Sequence, residues 1–183
     1  MEGKKDARGE AHFVGMREEL IEAKRSVRTL EGRDVLVIYH LETFYAIDSY
    51  CYHEAGALQT GDIELEMQST HTIQLQHPQE LGGKLCIICP NHKYKITLAE
   101  GEGLYKYTDP KEKSPVAMWL SKGPKQRVHS ITEANGEVYV KLSEDPQWRE
   151  SDFYQGERGK VQRANVEEAK AAKAAKALQE KKS

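Results

Sequence analysis

Two short pairings of a cysteine with a histidine carry the chemistry of this chain: Cys51-Tyr52-His53 and Cys89-Pro90-Asn91-His92. Each holds a thiolate and an imidazole within one loop turn, so two such loops brought together offer two sulfur and two nitrogen donors. That set suits a 2Fe-2S cluster with mixed ligands or a tetrahedral zinc ion. Structural zinc sites usually take each short pair from one residue type, as Cys-x2-4-Cys followed by His-x3-5-His. Both pairs here are mixed. Mixed pairs follow naturally from a centre in which two cysteines hold one iron and two histidines hold the other, each loop lending one ligand to each metal. A structural zinc module on the same four ligands is the alternative, colourless and magnetically silent where the cluster is red-brown and paramagnetic on reduction. An iron-sulfur redox sensor is a third reading of the same residues.

The strings CYHEAGAL at 51–58, CPNHKYKI at 89–96 and GEGLYKYTDP at 101–110 resemble the Rieske ferredoxins, and most closely the small soluble Rieske domain-containing proteins of animals. The resemblance spans roughly residues 11–154. It implies a single 2Fe-2S cluster of Rieske type, with Cys51 and Cys89 on the buried iron and His53 and His92 on the outer one. It also implies a ferredoxin-like one-electron carrier that takes electrons from a protein donor, a flavoprotein reductase, and passes them to a protein acceptor. The respiratory Rieske proteins carry an extra cysteine in each ligand loop and a serine that donates to the cluster. Those positions are Gly56, Asn91 and Tyr94 here, which points to the low end of the Rieske range of about −150 to +300 mV. No residue is assigned a catalytic role of its own.

Three departures from the family stand out. Thirty-five residues separate His53 from Cys89, more than the family commonly has, so 63–84 reads as an insertion that extends a hairpin between the ligand loops. Ile63, Leu65 and Met67 alternate with acids and glutamine there, the pattern of a two-faced strand, and Gly82-Gly83 turns the chain back. The usual glycine two residues after the first histidine is Ala55, followed by Gly56. The glycine that commonly follows the second histidine is Lys93. His71, His77 and Glu80 in the insertion are too loosely spaced for a second metal site.

The elements that must position these loops read as an all-β fold, a Rieske-type small sandwich or barrel with two cluster-binding hairpin loops. VLVIYH (35–40) and FYAID (44–48) are strands joined by the Leu41-Glu42-Thr43 link. Further strands are expected at LCIIC (85–89), YKITL (94–98), RVHSIT (127–132) and VYVKL (138–142), the last two joined by the Asn135-Gly136 turn. Both ligand pairs then sit beside strand ends. Cys86 alternates out of phase with Cys89, so a buried structural thiol is expected there. His12, His40 and His129 read as hydrogen-bonded strand residues, and Trp119 and Trp148 as core or edge. Tyr94, two residues after His92, is placed to pack near the site.

Residues 1–10 read as a disordered tail, 11–154 as the Rieske domain, and 155–183 as a partly helical C-terminal tail. That tail is a short Ala/Lys-rich helix with little apolar surface to dock it. The chain has 183 residues, with 27 bases against 29 acids, a balance that gives no push toward nucleic acid. Three cysteines, two of them assigned as ligands, leave no disulfide framework. No apolar run approaches the ~20 residues of a membrane span. The start, MEGKKDARGE, has neither the apolar stretch of a secretory signal nor the acid-poor character of a mitochondrial presequence. A cytoplasmic monomer without membrane insertion is expected. Five acids and no Lys or Arg lie between His53 and Gly83, whereas Lys84 to His129 carries nine bases against four acids. If that asymmetry survived folding, one side of the ligand tip would be basic and would steer an acidic partner.

Overall fold

The structure, a computed structural model, describes residues 4–6, 9–66, 83–108, 111 and 118–180. In chain order its elements are β1 (His12–Met16), α1 (Arg17–Ala23), β2 (Arg25–Leu30), β3 (Arg33–His40), β4 (Thr43–Asp48), β5 (Ile63–Glu66), β6 (Lys84–Ile88), β7 (Lys95–Thr97), β8 (Glu102–Tyr107), β9 (Met118–Pro124), β10 (Val128–Ala134), β11 (Glu137–Lys141) and α2 (Glu157–Glu180). The strands form two antiparallel sheets. One runs β1-β11-β10-β4-β3-β2 and the other β5-β6-β7-β8-β9.

The run Val35-Leu36-Val37-Ile38 explains the layering. Successive side chains of a strand point to opposite faces, so a strand buried on both sides has no polar alternation. Val35 and Val37 enter a core with Val14, Leu20, Leu30, Ala46, Val138 and Val140. Leu36 and Ile38 enter another, with Ile47, Leu58, Ile87, Ile96 and Leu98. The six-stranded sheet curls into a nearly closed barrel around the first core. Arg28 on β2 donates to the Val14 carbonyl on β1, 2.9 Å away, and Leu20 of α1 is buried in the interior. The second core lies between this barrel and the smaller sheet, and the sulfurs of Cys51 and Cys89 belong to it.

The expected strands form, and the Asn135-Gly136 turn joins β10 to β11 with both residues at positive φ. Cys86 and Ile88 face away from Cys89, packed with Leu104 under Trp119. Trp148 departs from expectation. It is 63% exposed, on an irregular stretch after β11. β5 pairs antiparallel with β6 from Ile63↔Ile87 to Glu66↔Lys84, which places part of the insertion in a hairpin. As an edge strand β5 does not bury its whole apolar stripe, and Leu65 is 59% exposed. Residues 67–82, with Met67, His71, His77 and Glu80, lie outside the described residues.

Candidate metal centre

The two Cys/His loops are built alike. In the first, the Cys51 N–H donates to the Gly56 carbonyl at 2.9 Å and the Ala55 N–H returns to the Cys51 carbonyl at 3.0 Å. In the second, the Cys89 N–H donates to the Tyr94 carbonyl at 2.8 Å and the Lys93 N–H returns to the Cys89 carbonyl at 3.0 Å. Each cysteine thus anchors a turn whose fifth residue must be left-handed, and Ala55 (φ 55°) and Lys93 (φ 59°) take that conformation. The two departures from the family's glycines are the same structural position in two loops. The second loop is the tip of the β6–β7 hairpin. The first joins β4 of one sheet to β5 of the other, and closes on itself through an antiparallel bridge between Tyr50 and Ala57.

Folding segregates the donors by type. The sulfurs of Cys51 and Cys89 are buried in the same core, placed to share a hydrogen bond. That hydrogen bond pulls the Cys89 thiol down to about 6, helped by the backbone N–H groups of Asn91 and His92. The same bond, with burial, pushes Cys51 up against the opposing effect of the His53 and Glu54 N–H groups. Backbone donors therefore face both sulfurs, an arrangement that favours thiolates. The two imidazoles meet further out, ring centroids 5.1 Å apart and planes at 86°. His53 Nδ1 is buried without a hydrogen-bond partner. The side chain of His92 is 44% exposed, and its Nε2 lies 3.4 Å from a Glu54 carboxylate oxygen. Donor atoms of His53, Glu54 and His92 lie within 4.8 Å of one another, a group that neither cysteine joins.

The loops also interlock. A Cβ on Gly56 would stand 2.6 Å from Cys89 Sγ and 3.1 Å from Asn91 Nδ2, so only glycine lets the first loop lie against the second. Two N–H-lined sulfurs inside and an orphaned imidazole nitrogen beside a second imidazole outside form a donor set that fits a centre with two thiolate and two imidazole ligands.

Several supporting residues carry no sequence motif. Gln126, fully buried, donates from Nε2 to the carbonyls of Asp48 (2.8 Å) and Tyr50 (2.7 Å), and its Oε1 accepts the Tyr52 N–H (3.0 Å). It clamps the chain on both sides of Cys51. Behind it lies a polar cluster at the end of β4. Asp48 accepts a bidentate pair from Arg33 (2.6 and 2.7 Å), and the Ser151 hydroxyl at 2.5 Å. His129 Nδ1 accepts the Ser143 N–H, which leaves its Nε2–H to donate to Asp48 at 3.2 Å. Burial alone would raise the Asp48 carboxyl, but hydrogen bonds from His129 and Arg33 outweigh it and hold the group below its usual range. Asp152 joins the cluster through Arg127 and Arg33. From the same 3-10 segment (Glu150–Gln155), the Tyr154 hydroxyl donates to the His53 carbonyl at 2.7 Å.

The C-terminal segment reaches the site. α2 is one continuous helix, held by a polar anchor in place of an apolar stripe. The Arg163 guanidinium stacks 3.8 Å over the Tyr50 ring and donates to Asp34 at 2.9 Å. Further along, Val166, Ala169, Lys170 and Lys173 wall a cleft of about 400 Å³ whose opposite side is Glu54, Asn91 and His92. Composition gave no sign of this, because the stripe that faces the tip is mostly alanine and lysine. Part of the charge asymmetry along the sequence is paired off within the small sheet. Lys95 pairs with Glu64 at 2.8 Å and with Glu66 across the small sheet, and Lys84 pairs with Glu102.

The family model for soluble Rieske-type ferredoxins matches residues 12–145. A human Rieske domain-containing protein is 42% identical over 141 residues, covering 77% of this chain and 80% of its own length. Among solved structures, the ferredoxin of carbazole 1,9a-dioxygenase from Nocardioides aromaticivorans is similar at 18% identity and a TM-score of 0.44, over 73% of this chain and 98% of that one. A ferredoxin complexed with its oxygenase in carbazole 1,9a-dioxygenase aligns at 19% identity and a TM-score of 0.45, over 72% and 93%. Among the described residues, no helix is long and apolar enough to cross a membrane.

Proposed function

Because the chain belongs to the soluble Rieske-type ferredoxin family, we propose that it is a one-electron carrier whose 2Fe-2S cluster is held by Cys51, Cys89, His53 and His92. The observation that carries this reading is the sorting of donors into a buried sulfur pair and an outer imidazole pair. A tetrahedral zinc ion would draw all four donors to one point, whereas a Rieske centre needs two pairs, one for each iron. When bound, the cluster supplies reversible one-electron chemistry.

The chain's own residues do the rest. Cys51 and Cys89 bring negative charge into the second core, where the N–H groups of His53, Glu54, Asn91 and His92 compensate it. Gln126 and Tyr154 fix the backbone of the first loop, and the interlocked Gly56 and Asn91 keep the two loops in register. The exposed edge of His92 is the route by which a protein donor or acceptor reaches the site, and the donor is a flavoprotein reductase. With Gly56, Asn91 and Tyr94 where respiratory Rieske proteins have cysteines and serine, fewer hydrogen bonds reach the sulfurs and the potential lies low in the Rieske range. The carrier works as a cytoplasmic monomer.

The test is a ligand series on the purified protein. His53→Ala and His92→Ala each abolish the Rieske absorption and the reduced-state paramagnetic signal, while Cys86→Ser keeps its iron. A colourless wild-type protein with one zinc per chain, or full iron in either histidine variant, overturns the assignment.

A further inference from the structure

His53 and His92 differ in how their rings are held. Tyr94 lies flat against His53, centroids 4.2 Å apart and planes inclined by only 20°. It is the one parallel ring stack among the described residues, the other aromatic contacts being tilted or edge-on. Tyr94 is itself fixed on several sides. Its carbonyl accepts the Cys89 N–H, the Tyr52 ring meets it edge-on at 5.9 Å, and the Lys122 ammonium from β9 stands 5.0 Å from its centroid. His92 has no such stack. Its neighbours are the edge of His53 and the exposed Glu54 carboxylate.

We propose that Tyr94 is a positioning residue for His53: rooted in the second ligand loop, it presses its ring on the imidazole of the first and holds Nδ1 aimed between the loops. The proposal rests on His53 being a ligand. The terminal torsion of a histidine is broad and soft, and ordering a side chain on binding costs part of the binding free energy. A stack that limits ring rotation meets that cost during folding, so the first-loop imidazole is pre-set while the second remains free to adjust. The orphaned, buried His53 Nδ1 is the mark of this arrangement, because a freely turning ring would find a polar partner. The tyrosine hydroxyl has no part in it; the ring does.

The experiment uses the full-length, cluster-loaded protein with Tyr94→Phe, Tyr94→Leu and Tyr94→Met. Two readouts apply: the two imidazole nitrogen couplings in pulsed EPR of the reduced state, and the half-life of the visible spectrum under an iron chelator. Tyr94→Phe matches the wild type in both. In Tyr94→Leu and Tyr94→Met one nitrogen coupling shifts while the other stays, and the half-life falls by about tenfold, the usual scale for losing a residue that orients a metal ligand. If the aliphatic variants load no cluster while Tyr94→Phe does, the ring requirement is upheld. Two unchanged couplings with a wild-type half-life in the aliphatic variants overturn the proposal, as does a Tyr94→Phe protein as defective as they are. A wild-type protein lacking two nitrogen couplings instead defeats the functional reading itself.

Discussion

Ala55 and Lys93 show how one residue position can be named from sequence and yet not understood. Both are visible as places where the family commonly has glycine. Only the structure shows that they are the same left-handed corner of two equivalent turns, at φ 55° and 59°. An L-residue with a Cβ pays about 1–2 kcal/mol there, partly offset by the unfolded-state entropy that glycine would add. Ala55→Gly and Lys93→Gly should therefore each stabilise the protein by about 0.5–1 kcal/mol in urea melts, with the visible spectrum unchanged. A loss of stability in both would mean that the Ala55 methyl and the Lys93 side chain make contacts worth more than the strain. Gln126 is the opposite case. A buried glutamine that meets all its hydrogen-bond needs looks like any surface glutamine in a sequence, because its partners are the carbonyls of Asp48 and Tyr50, 78 and 76 positions away. The four proposed ligand positions were legible because thiol and imidazole at short spacing have few other uses; the residues that hold them were not, because backbone carbonyls and amides leave no signature.

Among the elements, β3 and β4 were plain from their apolar runs and their link from its place as a hairpin, but the conformation of that turn was not. The strands meet at Leu41 and Glu42, both left-handed with φ of 46° and 60°, as a two-residue hairpin turn of the primed type demands. Asn-Gly is the pair suited to that geometry, and the chain uses Asn135-Gly136 for the same purpose elsewhere. Leu41 is 71% exposed, so nothing in the core holds it there. The double variant Leu41→Asn, Glu42→Gly should raise stability by about 1 kcal/mol, seen as a higher urea midpoint at unchanged slope; no change would show the turn to be strain-free. β2 and β8 escaped the reading of the sequence for one reason. Charged, hydroxyl or tyrosyl side chains occupy their exposed positions, so RSVRTL and EGLYKY lack the apolar density that marked β3. α2 was readable as a helix from its alanines, whereas its docking through Arg163 was not, because one cation over one tyrosine has no periodicity.

At the scale of the molecule, the polar cluster under the first ligand loop ties the C-terminal segment to the barrel and makes stability depend on pH. Burial would raise the Asp152 carboxyl, yet hydrogen bonds from Arg127, the Arg149 N–H and Arg33 bring it down to about 2. A carboxyl depressed on folding adds stability above its unfolded value near 4 and loses it as the pH falls toward 2. Asp48 is shifted in the same direction. Stability should therefore be flat near neutrality and fall between about pH 4 and 2. Asp152→Asn should be less stable than wild type at pH 7, with the gap closing by about pH 2. Urea titrations of both proteins in the same loading state measure it, and a gap independent of pH would remove Asp152 from the account.

The buried sulfur pair has a consequence for the protein before it acquires, or after it loses, its metal. Cys51 and Cys89 touch in the core between the two sheets, while Cys86 faces the other way. With diamide as oxidant, the two thiols give up two protons and two electrons and join as a disulfide, and the diamide is reduced to its hydrazine. Such a chain is sealed against iron until a thiol reductant reopens it. The metal-free protein should then lose about 2 Da on brief diamide treatment, yield one cross-linked peptide pair containing residues 51 and 89, and leave Cys86 as the sole thiol that alkylates once unfolded. The loaded protein should give none of this, so the two atoms proposed to bind iron would also record whether a molecule had been left without it.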